Sequence, residues 1–529
     1  MSSKRRTLLV SFFYIILIFL FTKIDYRFIE EFTCCQDDHD YYSHAETIAI
    51  DFDFDYSNQY KGFENKRYYK DGVIAPKGFV GSGLFASPFL LIGQLVENYI
   101  DNSSLVFNYR ILFYSLSAIF YFFLSIYLVN SSLKLLKVNI NLHFLFLVFM
   151  GSGVSYYAFE RYSMTHVYEV FTTSLLIYIS VKFYTEKINL NLYSFLIPLF
   201  TVLALSVRWV NYQIFFIPFL IKFLFKHRFK YNNYLLRNKY FYFSYIFSVG
   251  LFLTLNKFIY GIITFNPVQV YGSSGRLNTL LDLGIFSVLK LVLTSMFQIL
   301  FSQEFGIFWF SPIIYVGLIV LIYLLFTSGT KKTLGYLFLL VIYGIPFSIV
   351  ILWQSTASSY GYRYLFSLIP IAIIIYGKFK SFKKTKTLDN YLLIFSIFAG
   401  LSILFFETSV GTSLSQNINS FNVEERFSQP KYLQNYISSF MNLNSYLKIF
   451  TTSFLGVVCF KLLSSIFQLE AITNFLSRLS LPVENPDFAS FLENIVTISL
   501  LQIIIFSIIL IIFVLHFLSK IIKNKDLKN

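Results

Sequence analysis

The sequence predicts an all-α polytopic membrane protein, and three observations carry that prediction. Apolar runs recur from residue 7 to residue 519 of a 529-residue chain containing 66 Phe and 40 Tyr, many of them near the roughly 20 residues that cross a bilayer as helix. Basic residues fall in short clusters between those runs. The runs also lack the short polar–apolar alternation of a closed β-barrel. A formal charge of +15, from 43 Lys and Arg against 28 Asp and Glu, would suit nucleic acid. Its distribution is instead that of cytoplasmic loops, so no nucleic-acid partner is expected. Cys34, Cys35 and Cys459 are the only cysteines and supply no disulfide framework; a bridge between the adjacent two would be strained.

Taken in order, residues 1–22 join Lys4, Arg5 and Arg6 to an apolar stretch with no small-residue cleavage site after it, which predicts a retained first helix with its basic end in the cytoplasm. Spans are expected at roughly 7–22, 111–129, 142–159, 167–184, 192–207, 209–225, 241–262, 305–326, 334–353, 364–377, 391–406 and 494–518, about 12 in all (~11–14). Threading from an inside N-terminus puts inside Lys134 with Lys137, Lys182 with Lys187, and the basic stretch from Lys222 to Lys239. Lys331 with Lys332, KFKSFKK at 378–384 and the tail IIKNKDLKN also fall inside, as the positive-inside rule requires. Both termini are then cytoplasmic.

The same threading leaves 23–110, 160–166, 263–304, 354–363 and 407–493 outside. Residues 284–301, with Lys290 in their middle, read as an interfacial helix, and 446–468 as interfacial or dipping. The stretch APKGFVGSGLFASPFLLIGQL suits a short helix lying against the bilayer. The chain divides into a transmembrane module at 1–406, with its long first outer loop at 23–110, an unassigned outer or interfacial region at 407–493, and a last helix with a basic tail at 494–529.

The outer side holds the unusual chemistry. Nine carboxylates fall between Glu30 and Asp55, and Asp37, Asp38 and Asp40 are tethered close to the end of the first helix. Asp51, Asp53 and Asp55 read as a solvated acidic loop. Polar clusters ERYSMTHVYE (160–169), VRWVNYQ (207–213) and WQSTASSYGYRYLF (353–366) set Arg161, Arg208 and Arg363 at helix ends near the same boundary. A single arginine there can serve lipid headgroups. Three opposite an acidic loop suit a phosphate or pyrophosphate held by charge-assisted forks, with a carboxylate as general base.

The order of acidic DDHDYY, PKGFVGSGLFASPF, RYSMTHVYEVF, LSVRWVNYQIFFIP, FGIFWFSP and SYGYRYLFSLIP, spanning roughly residues 1–406, resembles the GT-C superfamily of membrane glycosyltransferases. It is most similar to bacterial members resembling protein O-mannosyltransferases and the lipid A aminoarabinose transferase. The resemblance implies transfer of a sugar from a polyprenyl-phosphate donor to a hydroxyl of a glycan, lipid or protein, on the extracytoplasmic face of a bacterial inner membrane. It further implies a first-loop acid as base: Asp38 first, since it belongs to both the D-x-D and the adjacent-acid registers, then Asp40, then Asp37. Arg208 and Arg363, with Lys77, match the basic positions near the donor phosphate. His166, with Glu169 one turn on, and more weakly Tyr42 and Arg161, are expected near sugar or acceptor. Direct displacement predicts inversion. No cofactor is expected. A divalent metal is possible, with Asp38, Asp40 and His44 its weak candidate ligands alongside His39, but the mannosyltransferase-like members that the motifs resemble generally do not need one for catalysis.

Other readings compete. A transporter or flippase of lipid-linked glycans would explain many helices and outer arginines, but predicts buried mid-membrane charges, for which Lys257 and Glu169 are the few candidates. An O-antigen polymerase or ligase would carry its large outer loop late, as 407–493 allows. A catalytically inactive scaffold is the third.

Overall fold

The computed structural model describes residues 3–24, 36–61, 68–100, 109–186, 189–229, 235–271, 284–353, 360–406, 432–466 and 498–526; Cys34, Cys35, Glu30 and, within 407–493, residues 407–431 and 467–493 lie outside them. About 80% is helical. The helices are α1 (Ser3–Phe21), α2 (Gln36–Glu46), α3 (Val80–Tyr99), α4 (Tyr109–Leu135), α5 (Leu142–Met150), α6 (Val154–Phe159), α7 (His166–Thr185) and α8 (Leu190–Val207). There follow α9 (Ile217–Phe225), α10 (Lys239–Tyr260), α11 (Pro267–Tyr271), α12 (Ile285–Phe301), α13 (Ile307–Phe310), α14 (Pro312–Thr327), α15 (Thr330–Trp353), α16 (Leu368–Lys380) and α17 (Lys386–Leu404). The last are α18 (Tyr432–Phe440), α19 (Leu443–Thr452), α20 (Phe454–Ile466) and α21 (Leu500–Asp526).

Among the described residues seven helices are long and apolar enough to cross a membrane: α3, α4, α8, α10, α15, α17 and α21. The protein is therefore a multi-pass helical protein of membrane type. Helix occupies most of every expected window, but several are interrupted. The window 142–159 is split into α5 and α6 at Gly151-Ser152-Gly153. A Cβ on Gly151 would lie 2.5 Å from the Ser396 side chain, and one on Gly153 would collide with the Phe366 ring, so the break lets α17 and the segment before α16 approach. In 305–326 the break falls at Ser311, and Pro312, which needs no N–H partner there, opens α14. Conversely, α3 is one 20-residue helix through Pro88, longer than the short surface helix expected. It runs back along the first half of α4, with Phe85 on Tyr121 at 5.5 Å and Phe89 on Phe120 at 5.4 Å.

α4 and α7 form the centre, flanked by α3 and α8, with α10 against α8 and α14 against α16. α1 packs on α20 and α21, and Phe454 N–H donates to Thr22 O at 2.8 Å, so the described part of the 446–468 stretch, through Ile466, is two helices broken at Ser453 and docked on the end of α1. The first loop also contains a hairpin the all-α expectation omits: β1 (Tyr68–Lys70) pairs antiparallel with β2 (Val73–Ala75) across Asp71-Gly72. Both turn residues have positive φ, 53° and 80°, the requirement of a two-residue hairpin turn and the reason Asp-Gly stands there. Tyr68 Oη donates to Tyr260 O at 2.7 Å, tying the hairpin to the end of α10.

Candidate active site

The acidic motif is a helix. α2 covers Gln36–Glu46 and carries Asp37, Asp38 and Asp40. The helical repeat of about 100° per residue then separates them: Asp37 is exposed, whereas Asp38 and Asp40 are buried. Asp38 is held completely. Arg161 donates to its Oδ2 from Nη2 at 3.0 Å and from Nε at 3.3 Å, and Ser163 Oγ donates to Oδ1. Asp40 accepts from Tyr60 Oη at 2.6 Å. Farther along α2, His44 places Nε2 2.7 Å from Gly78 O and Nδ1 2.8 Å from Tyr56 Oη. A carbonyl only accepts, so Nε2 carries the proton. Burial pushes the His44 pKa down to about 4, against the opposing bond to Gly78.

Three glycines bring the walls together. A Cβ on Gly78 would lie 2.7 Å from the Tyr41 ring, one on Gly81 2.6 Å from the Ser206 backbone, and one on Gly83 2.8 Å from Ala45 N. The start of α3 is thus wedged between α2 and the end of α8, where Phe79 stacks on Trp209 at 4.4 Å. Arg208 is the next residue beyond α8. Thr165 Oγ1 donates to Val207 O at 3.0 Å, which fixes the start of α7 beside it.

Around Arg208 lies a second polar group. Its Nη1 is 3.6 Å from Glu169 Oε2 and 3.1 Å from His166 Nδ1, and its guanidinium lies 4.0 Å over the Tyr364 ring. His166 Nδ1 is 3.2 Å from Glu169 Oε2; in the Nδ1–H tautomer it donates there. Asn211 Nδ2 donates to Glu169 Oε1 at 2.7 Å, and Gln213 Nε2 donates to Ser367 Oγ at 2.8 Å. Arg363 is half-buried, 5.6 Å from the Tyr364 ring, and makes no ion pair with a carboxylate among the described residues. The Nε atoms of both Arg208 and Arg363 are buried with no hydrogen-bond partner there. Arg161, Arg208 and Arg363 all lie within electrostatic reach of His166, Asp37 within reach of Arg363, and Tyr41 within reach of Arg208. The two groups form one site.

The sequence candidates therefore converge unevenly. Arg161, Arg208, Arg363, His166, Glu169 and the α2 acids meet. Asp38, first choice as base, accepts at both oxygens from Arg161 and Ser163, whereas Asp37 is exposed. Tyr42 is buried edge-on to Tyr114 at 5.3 Å and faces the core. Lys77 is half-buried beside Gly78, with no ion pair among the described residues. Asp38, Asp40 and His44 point to three different partners, and among the described residues no group of three or more His, Cys, Asp or Glu is placed to hold a metal. Ser163, Asn211, Gln213, Tyr364 and Ser367 were not singled out from sequence; each stands within a few residues of a candidate in the same polar cluster. Comparison with protein families, curated proteins and solved structures finds no match to the chain.

Proposed function

We propose that the chain is a membrane glycosyltransferase of GT-C type, moving a sugar from a polyprenyl-phosphate donor to a hydroxyl of a glycan, lipid or protein outside a bacterial inner membrane. The observation that carries this reading is the pairing of two guanidinium groups that retain buried, unpartnered donors, Arg208 and Arg363, with an exposed carboxylate, Asp37, within reach of one of them. Buried donors without partners are costly, and a phosphate oxygen satisfies them.

In the reaction the acceptor oxygen forms the new bond to the anomeric carbon while its proton passes to Asp37. The bond from that carbon to the phosphate oxygen breaks, and its electron pair leaves with the lipid phosphate. Arg208 and Arg363 meet the charge that develops there. A single displacement inverts the anomeric centre. Asp38 and Ser163 position Arg161; Glu169, Asn211 and Ser367 hold the His166–Arg208 wall.

The test is transfer by purified, reconstituted chain from a panel of polyprenyl-phosphate sugars to cell-envelope acceptors, with Asp37→Asn and Arg363→Gln alongside. Transfer by wild type that both substitutions abolish supports the reading. Wild type that moves lipid across the bilayer and transfers nothing to any acceptor overturns it in favour of a transporter.

A further inference from the structure

The basic clusters between the apolar runs have no part in the site described above, yet three of them meet in space. His227 and Arg228 follow α9, Ser328 to Lys332 join α14 to α15, and Lys378 to Lys383 close α16. Together they line a cavity of about 850 Å³. Arg228, Lys332, Lys378 and Lys383 all contribute to its wall, and no Asp or Glu does. Ser367, in the candidate active site, precedes α16 and Lys378 lies in its last turn, so the cavity and that site are at opposite ends of one helix.

Positive charge here is not neutralised from within. None of the four cations forms an ion pair among the described residues; the nearby Asp389 is taken by Lys380 at 2.6 Å. Lys378 Nζ lies 3.4 Å from His227 Nδ1. Burial, and then the charges of Lys378, Arg228 and Lys332, press the His227 pKa down. Two further features favour an anion. Ser328 Oγ is buried with no hydrogen-bond partner among the described residues, and Ser328 lines the cavity. Beside it begins α15, a 24-residue helix whose first-turn N–H groups have no partners within the helix, although Lys332 N–H donates to Gly329 O at 2.8 Å.

The geometry points to a binding site for a phosphate-bearing anion in this cavity, at the end of the bundle opposite the candidate active site. Basic side chains on three segments, a buried hydroxyl donor and a helix N-terminus are the elements that recognise phosphate, whether it belongs to a free anion or to a lipid headgroup reaching in from the bilayer. The site is independent of the transferase reading.

The test uses the full chain in nanodiscs of phosphatidylcholine, titrated with inorganic pyrophosphate, and in parallel native mass spectrometry of retained phosphatidylglycerol. Wild type is compared with Lys332→Gln/Lys378→Gln, with Ser328→Ala, and with a control, Lys239→Gln/Lys257→Gln, whose exposed lysines lie on α10. Saturable pyrophosphate binding that weakens about tenfold or more in the double cavity variant, less in Ser328→Ala and not in the control, assigns a free anion. No response to pyrophosphate, with phosphatidylglycerol retained by wild type and control and lost from the cavity variant, assigns a lipid headgroup. Equal behaviour of all four proteins, or no binding of either probe by wild type, overturns the site.

Discussion

Arg161 grips Asp38 with two nitrogens, Nη2 at 3.0 Å and Nε at 3.3 Å, and the pair is almost entirely shielded from solvent. A buried, bidentate pair of this kind is costly to break from one side, because the surviving charge is left unpaired. Asp38→Asn is therefore expected to destabilise the protein by about 3–5 kcal/mol, read as a lowered Tm in detergent. Asp37→Asn, at an exposed position, keeps the wild-type Tm and loses transfer by about 10²–10⁴-fold. A stable Asp38→Asn protein with no transfer would return the role of base to Asp38.

Arg363 can be tested without a folding penalty. It has no carboxylate partner among the described residues, so Arg363→Gln strands no buried charge. Transfer should fall about 10²–10³-fold, the usual loss when one donor to developing charge is removed, at unchanged Tm. Normal kcat in the variant would remove Arg363 from the leaving-group phosphate.

His44 gives stability a pH dependence of known sign. Its folded-state pKa of about 4 lies below the ordinary 6.5, so the unfolded chain takes the proton first. The stability it supports is complete above about pH 6.5 and declines as the pH falls toward 4, by on the order of 3 kcal/mol. Melting curves across that window should show the decline in wild type and a shallower one in His44→Gln. Parallel slopes in the two proteins would show that other groups titrate there.

Gly81→Ala tests the wedge. The added methyl meets the Ser206–Val207 backbone, and overpacking of this kind costs about 1–3 kcal/mol. Tm should drop and transfer should fall with it, since Arg208 follows directly. Gly250→Ala is the contrast: nothing lies within 4 Å of its Cβ, and alanine favours a helix by ~1 kcal/mol over glycine, so its Tm should hold or rise.

Apolar windows were legible in the sequence because side-chain apolarity is local and a bilayer-length run needs no knowledge of neighbours. The breaks at Gly151–Gly153 and Ser311 were hidden, since each is set by what packs opposite, Ser396 and Phe366 in the first case. The three arginines could be placed at one boundary from their positions at helix ends. Which carboxylate faces them could not, because the acids were read as a loop: only the packing of α2 as a helix sets the phase that turns Asp38 inward and Asp37 outward. The hairpin carried a readable signal, Asp-Gly between YYK and VIA, but one too short to stand out in an 88-residue outer loop (23–110).

The glycines at the head of α3 give the site a dimension that no charged residue controls. The gap between the acidic helix and the arginine at the end of α8 is gauged by side chains that are not there, so a single methyl changes its width without altering the identity of any ionisable group. On the proposed transferase reading, reshaping the site for a larger or smaller sugar would then begin at Gly78, Gly81 and Gly83, and a survey confined to charged side chains would pass over the calliper.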